Sequence, residues 1–376
     1  MKPLLQIIHV SDLHIASGAL NGQLPPVADL LAKITAPIPA VGPFVRQGMD
    51  PHDPSAKSAI EEFLKKVTSP SNGWVGPTWL LDTGDLTTFG DEDSLAVGRR
   101  LLSRLGRYCT RTLSLHGNHD AWPQDFPIAS RPTIETHRQH LRTSHYPEEW
   151  PETPQSFDPP RSPIRIELYA LNSVEHYPEL NIPALGRVRH DRYWELTPPS
   201  PAAGHSLSRL QEQVPNSTGK TLRLLAIHHP IAKVDFWPHH SLLNRKEVSG
   251  RIENPNAFQV VLSGHTHALF PRHGRLQASL TSGLHHPLGP NQVQLVVGSM
   301  MQRDFSENSN SELERDRWSH QVQVLRIFHD EDSDEVVVAR FLAGRNPGVD
   351  DAFEIRPLPG TSGTSHEEIR FSAEDL

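Results

Sequence analysis

Arg111-Thr112-Leu113-Ser114-Leu115-His116-Gly117-Asn118-His119-Asp120 is the stretch from which the rest of this chain can be read. Its first six residues, rich in leucine and with a β-branched threonine, read as a strand. Gly117 then permits a tight bend, and Asn118 tolerates unusual backbone angles. A strand thus ends and at once presents an amide, an imidazole and a carboxylate. An amide oxygen can ligate a metal, the histidine beside it can donate a proton, and an aspartate can fix that histidine's tautomer. Alone, residues 117–120 are only a turn. Their meaning depends on what the other strand ends deliver.

Toward the N-terminus, Trp79 to Thr83 reads as a strand that runs into Gly84-Asp85. Leu4 to Val10 is a compact apolar run, a buried-strand candidate, ending in Ser11-Asp12-Leu13-His14. Asp12 and His14 are two apart, so in extended backbone they face the same side. Helical spacing of Ile60, Phe63, Leu64 and Val67 predicts a helix over 55–68, and a second is expected over 91–106. The first 120 residues therefore read βαβαβ, with polar groups at three successive strand ends. Ligands of open α/β sheets sit outside the carboxyl ends of strands.

Toward the C-terminus, 164–171 reads as a strand ending in Asn172-Ser173, with a helix expected before it over 133–142. Leu222 to Ile227 reads as a strand that delivers His228-His229-Pro230, where the proline stops pairing. Ala257 to Leu262 reads as the next, delivering Ser263-Gly264-His265-Thr266-His267. Strands over 293–297, 322–328 and 335–341 follow, and this half of the chain reads as more antiparallel. One domain over 1–343 is expected, with proline-rich insertions near 16–54, 121–163, 174–220 and 231–255. The tail over 344–376, rich in Gly, Pro, Ser and Glu, reads as a loosely packed extension.

Bulk properties narrow the function classes. The 36 basic and 44 acidic residues give a net charge of -8, which disfavours a general nucleic-acid binder. The single Cys109 excludes an intramolecular disulfide framework and a thiolate zinc cluster. No apolar run is long enough for a helical membrane span. Met1-Lys2-Pro3 enters a strand directly and shows no signal-peptide pattern, so cytoplasmic residence is the expectation.

Five strand ends supply Asp12, His14, Asp85, Asn118, His228, His265 and His267. This mixed nitrogen and oxygen set suits Mn, Fe or Zn, whereas Ca and Mg favour oxygen alone. Seven groups are too many for one catalytic ion that keeps an open position, and fit two ions sharing a carboxylate.

The order Asp-x-His, Gly-Asp, Gly-Asn-His-Asp, His, Gly-His-x-His resembles the calcineurin-like metallophosphoesterase superfamily, with all five blocks in order over residues 12–267. The resemblance implies an α/β fold of four layers, two mixed β-sheets between helices. It implies Asp12, His14 and His267 on one ion, Asn118, His228 and His265 on the other, and Asp85 as the bridge. His228 rather than His229 is the expected ligand, because the family ligand directly follows the apolar strand. His229 is then a candidate substrate contact, together with Asn118 and His119. The implied activity is hydrolysis of a phosphoester, a nucleotide among the candidates, by a hydroxide shared between the ions. His119, oriented by Asp120, would be the general acid.

Local sequence narrows the branch. Protein phosphatases of this superfamily resemble one another in Gly-Asp-x-x-Asp-Arg-Gly and Gly-Asn-His-Glu. Here Phe89 stands in place of the arginine and Asp120 in place of the glutamate. Gly84-Asp85-Leu86-Thr87 and Asn172-Ser173 look similar to the bacterial cyclic nucleotide and small phosphodiesterase branch, so a diester is the favoured substrate. A phosphomonoesterase, a nuclease of the same superfamily and a metal-stabilised scaffold are the alternatives. A binuclear amidohydrolase would begin with His-x-His, whereas this chain has that pair late.

Overall fold

The computed structural model describes residues 1–15, 55–88, 90–120, 154–174, 219–232, 244–252, 257–265, 285–301, 320–345, 350–356 and 366–376, with isolated positions between. Asp12, His14, Asp85, Asn118, His119, Asp120, His228, His229 and His265 are among them. His267, Phe89, the expected helix over 133–142, the whole insertion over 16–54 and most of those over 121–163 and 174–220 lie outside the described residues.

The βαβαβ start forms as read: β1 (Lys2–Val10), α1 (Ala56–Val67), β2 (Thr78–Asp82), α2 (Glu92–Gly106) and β3 (Arg111–Ser114). Parallel pairing joins β1 to β2 and β2 to β3. Helix α1 buries Ile60, Phe63, Leu64 and Val67, the apolar stripe seen in the sequence. At the start of α2 the Asp91 carboxylate accepts a hydrogen bond from Ser94 N at 2.8 Å, a side-chain cap.

The second half continues with β4 (Gln155–Phe157), β5 (Arg165–Leu171), β6 (Thr221–Ile227), α3 (Arg245–Ile252), β7 (Val260–Ser263), β8 (His285–Gly289) and β9 (Gln292–Val296). It closes with β10 (His320–Asp330), β11 (Glu335–Arg345), β12 (Glu354–Arg356) and β13 (Glu367–Ser372). Two mixed sheets result. One runs β12-β11-β10-β1-β2-β3, with β13 also on β11, and the other runs β4-β5-β6-β7-β9-β8. The expected antiparallel character holds for β10 to β13, whereas β5, β6, β7 and β9 are parallel neighbours.

Strand alternation sorts the core into layers. Ile7, Leu81, Leu113, Leu168, Leu224, Leu262 and Leu325 pack between the sheets. Ile8, Val10, Leu80 and Val324 face α1 and α2 on one outside. Tyr169, Leu225, Ile227 and Val261 face α3 on the other, with Val248 and Ile252. The architecture is thus the expected four layers, helices outside two face-to-face sheets.

Four parts differ from the sequence reading. The stretch 121–163 ends in the short strand β4, and 231–255 contains α3, whose polar sequence buries only Val248 and Ile252. Strand β8 carries Pro287 and lies at the sheet edge, where a missing N–H costs no ladder bond. The tail is not a loose extension where it is described. Strands β12 and β13 both pair with β11, and Phe353 and Phe371 are buried. Strand β13 alternates exposed with partly buried residues and Ile355 of β12 is exposed, so neither strand carries an apolar run in the sequence.

Cys109 packs against the α1/α2 layer, and burial pushes its thiol up to about 12. The thiolate is the reactive form, so at pH 8 it is scarce in the folded protein. Ellman's reagent is therefore expected to label the native protein far more slowly than the denatured protein. Equal rates would contradict this packing.

Candidate metal centre

The site is built where the parallel strands end. Residues 11–15 leave β1 but stay bonded to the segment beyond β2. Asp12 N donates to Gly84 O at 2.8 Å, and His14 N to Asp85 O at 3.0 Å. The φ angles of Asp12, His14 and Asp85 are 54°, 50° and 55°, in the left-handed region that non-glycine residues rarely adopt. His265 joins them at 70°. Strain of this kind persists only where surrounding bonds over-determine it. Extended backbone was the expected reason for Asp12 and His14 to share a side. The structure corrects this: both sit on left-handed turns locked to the neighbouring segment.

Two glycines let the loops close on one another. A Cβ at Gly117 would lie 2.0 Å from Asp85 Oδ1, and one at Gly264 would lie 2.6 Å from Asp12 Oδ2. That closeness puts backbone amides on the carboxylates. His119 N donates to Asp85 Oδ1 at 2.8 Å, and His265 N donates to Asp12 Oδ2 at 2.9 Å. Each bond crosses from one sheet-end loop to another and is charge-assisted.

The other carboxylate oxygens face imidazoles. His14 Nε2 lies 4.0 Å from both Asp12 Oδ1 and Asp85 Oδ2. His228 Nε2 lies 3.3 Å from Asp85 Oδ2, 3.0 Å from Asn118 Oδ1 and 3.2 Å from His265 Nδ1. Asp85 Oδ2 is buried and accepts no well-aligned hydrogen bond among the described residues. All these side chains are buried. The described members of the predicted set, Asp12, His14, Asp85, Asn118, His228 and His265, are therefore brought together.

Electrostatics follow from this crowding. Burial alone would raise Asp85, but the charges of His228, His119 and His14 outweigh it and hold its carboxyl well below the usual range. Burial likewise works to lower His228, and Asp85 overcomes it, lifting the imidazole to about 9. Near His228 Nε2 an amide oxygen, a carboxylate oxygen and a second imidazole nitrogen converge. Such a cluster of lone pairs is repulsive unless a positive species, a proton or a cation, sits among them. His228 Nδ1 lies 2.9 Å from Thr83 O, a partner that fixes Nδ1 as the protonated atom and turns the Nε2 lone pair toward the cluster. The donor set fits a pair of transition ions.

His119 and Asp120 occupy the edge of this cluster. The His119 ring stands edge-on to His14, with centroids 4.6 Å apart. Its Nδ1 lies 3.0 Å from Thr88 O. Asp120 was expected to orient His119, but Thr88 holds that ring. Asp120 Oδ1 accepts from Thr87 N at 2.8 Å and Thr87 Oγ1 at 2.9 Å. Its Oδ2 accepts from Gly117 N at 2.9 Å and Leu86 N at 3.2 Å. Asp120 thus ties the loop after β2 to the loop after β3. Burial, aided by the Asp85 charge, pushes its carboxyl up to about 7 against these donors.

His229 lies beside the cluster, its ring centroid 4.3 Å from that of His265, and its Nδ1 is 2.8 Å from Ser173 Oγ. Sequence reasoning missed Thr83 and Thr88, which act through backbone carbonyls that any residue type supplies. It also missed Ser299, whose Oγ donates to Asp12 O at 2.6 Å from the end of β9. A serine three residues beyond a strand carries no distinguishing local signal.

The family model for calcineurin-like phosphoesterases matches residues 5–269. No curated protein matches the chain. Among solved structures, a dimetal phosphatase from Danio rerio is 11% identical at a TM-score of 0.44, with 99% of each chain covered. A purple acid phosphatase from yellow lupin (Lupinus luteus) seeds is 10% identical at a TM-score of 0.44, covering 90% of this chain and 52% of that one. A 5′-nucleotidase precursor from Thermus thermophilus is 15% identical at a TM-score of 0.37, covering 87% and 51%. The chain spans about half the length of the lupin and Thermus structures. Among the described residues, no helix is long and apolar enough to cross a membrane.

Proposed function

This chain belongs to the calcineurin-like phosphoesterase family, and on that premise we propose that it is a binuclear metal-dependent phosphoesterase that hydrolyses a phosphodiester, of a small molecule or a nucleotide. The observation that carries the reading is the convergence of acceptor atoms around Asp85 Oδ2 and His228 Nε2. Asp12, His14 and His267 would hold one ion. Asn118, His228 and His265 would hold the other, with Asp85 shared. Mn, Fe and Zn all suit this ligand set. When bound, two such ions supply Lewis-acid activation of water and charge neutralisation at the phosphoryl group.

The chain's own residues do the rest. Asp12 and Asp85 offset two positive charges, leaving a site attractive to an anionic ester. His119 delivers a proton to the departing alkoxide from Nε2. Thr88 O accepts from Nδ1 and so favours the protonated ring. Asn118 and His229 are the candidate substrate contacts beside it. Among the described side chains that converge here, none is a lysine or arginine. The diester preference rests on the resemblance of Gly84-Asp85-Leu86-Thr87 and Asn172-Ser173 to the small phosphodiesterase branch.

Bis-p-nitrophenyl phosphate and p-nitrophenyl phosphate, each with added Mn²⁺, test the reading. The diester is expected to turn over faster. Preferential monoester turnover would make the protein a phosphomonoesterase, and no turnover of either would favour a scaffold. A panel of 2′,3′- and 3′,5′-cyclic nucleotides and single-stranded DNA then separates a small-molecule diesterase from a nuclease.

A further inference from the structure

On the face of the first sheet that packs against the second, a polar row crosses four strands. Glu367 Oε2 on β13 accepts from Arg340 Nη1 on β11 at 3.3 Å. Arg340 Nε donates to Gln323 Oε1 on β10 at 2.6 Å. Gln323 Nε2 lies 3.0 Å from His9 Nδ1 on β1, and His9 Nε2 lies 3.0 Å from Thr83 Oγ1 beyond β2. Arg340, Gln323 and His9 are all buried. The row ends at the residue whose carbonyl meets His228 Nδ1.

Its direction is set at the far end. A guanidinium only donates, so the Gln323 oxygen must face Arg340 and its NH₂ must face His9. His9 Nδ1 is then the acceptor, Nε2 carries the proton, and Thr83 Oγ1 accepts it. This requires a neutral imidazole. Burial and the Arg340 charge push His9 down to about 3, which supplies one. A buried guanidinium is costly, and Arg340 Nη2 meets no acceptor among the described residues.

We propose that Glu367, Arg340, Gln323 and His9 form a positioning relay that fixes Thr83 and, through its carbonyl, the orientation of His228 in the metal centre. Three of the four lie beyond the segment matched by the family. A second polar row provides an internal control. Arg326 Nε donates to Gln6 Oε1 at 2.9 Å and Gln6 Nε2 to Thr78 Oγ1 at 3.2 Å, but it ends at the start of β2, away from the site.

The relay rests on His228 being a metal ligand, and titration of metal-free protein with Co²⁺, followed by visible absorption, tests the two separately. Wild type is expected to bind two ions with ligand-field bands. Arg340→Met and Thr83→Val are each expected to weaken one binding step about tenfold, the lower end of the range for partners that orient ligands. Because both break one path, the double variant should lose no more than the worse single variant. Arg326→Met should titrate as wild type. Folded Arg340→Met with wild-type affinity and bands, or a double variant whose losses multiply, overturns the relay. If Arg340→Met does not fold, Gln323→Met breaks the same row and is judged by the same outcomes. Wild type that binds no Co²⁺ overturns the metal reading and the relay with it.

Discussion

Asp85→Asn is expected to abolish turnover and to strip the metal centre while leaving the fold in place. The substitution is nearly isosteric. Its Oδ1 still accepts from His119 N, so the bond between the loops after β2 and β3 survives. What disappears is the charge at the one carboxylate that lies within 4.0 Å of His14 Nε2 and 3.3 Å of His228 Nε2. Of the described candidate ligands, Asp12 alone would then offer the two cations a negative charge. Even residues that only hydrogen-bond to a metal ligand are worth about 10–100-fold in affinity, and a shared ligand is worth more. Elemental analysis after gel filtration, with circular dichroism as the fold control, checks this. Asp85→Asn protein that keeps two ions per chain would remove Asp85 from the centre of the mechanism.

His119→Ala is expected to do the opposite: keep the metals and lose the chemistry. Without an imidazole to deliver a proton, kcat should fall by about 10²–10⁴-fold for esters with a poor alkoxide leaving group. An ester that releases p-nitrophenolate needs little help from an acid, so its loss should be much smaller. That contrast separates a proton donor from a residue that merely fills space beside His14. KM should change little, since the substrate-bearing groups stay in place. Because the ligand atoms of His14, Asp85 and His119 lie close enough together to hold an ion, metal content must be measured in the same sample. If His119→Ala loses an ion, His119 is a ligand and the general acid lies elsewhere.

Much of the centre was legible before the structure. Asp12, Asp85, Asn118, His228 and His265 each follow an apolar run closely, and such runs are readable as strands from periodicity. Once strands are parallel, their carboxyl ends are neighbours, so donors far apart in sequence converge. Asp120 was misjudged for a related reason. Its type and place suggested a partner for His119, but its oxygens meet Thr87, Leu86 and Gly117, whose donors are mostly backbone amides. Backbone donors carry no residue label. The tail was misjudged because β12 and β13 are short edge strands, stabilised by an already formed β11 rather than by their own pattern.

The amino-acid sequence by itself determined the parallel start and the chemical types of the candidate metal donors. These depend on local periodicity and on the residues directly after each strand. Only the tertiary structure decided the left-handed turns at Asp12, His14 and Asp85, the hold of Thr88 on His119 and the row from Glu367 to Thr83. Each depends on partners separated by tens to hundreds of residues. Their bonds exist only after the strands have paired, and nothing in a local stretch of chain encodes them.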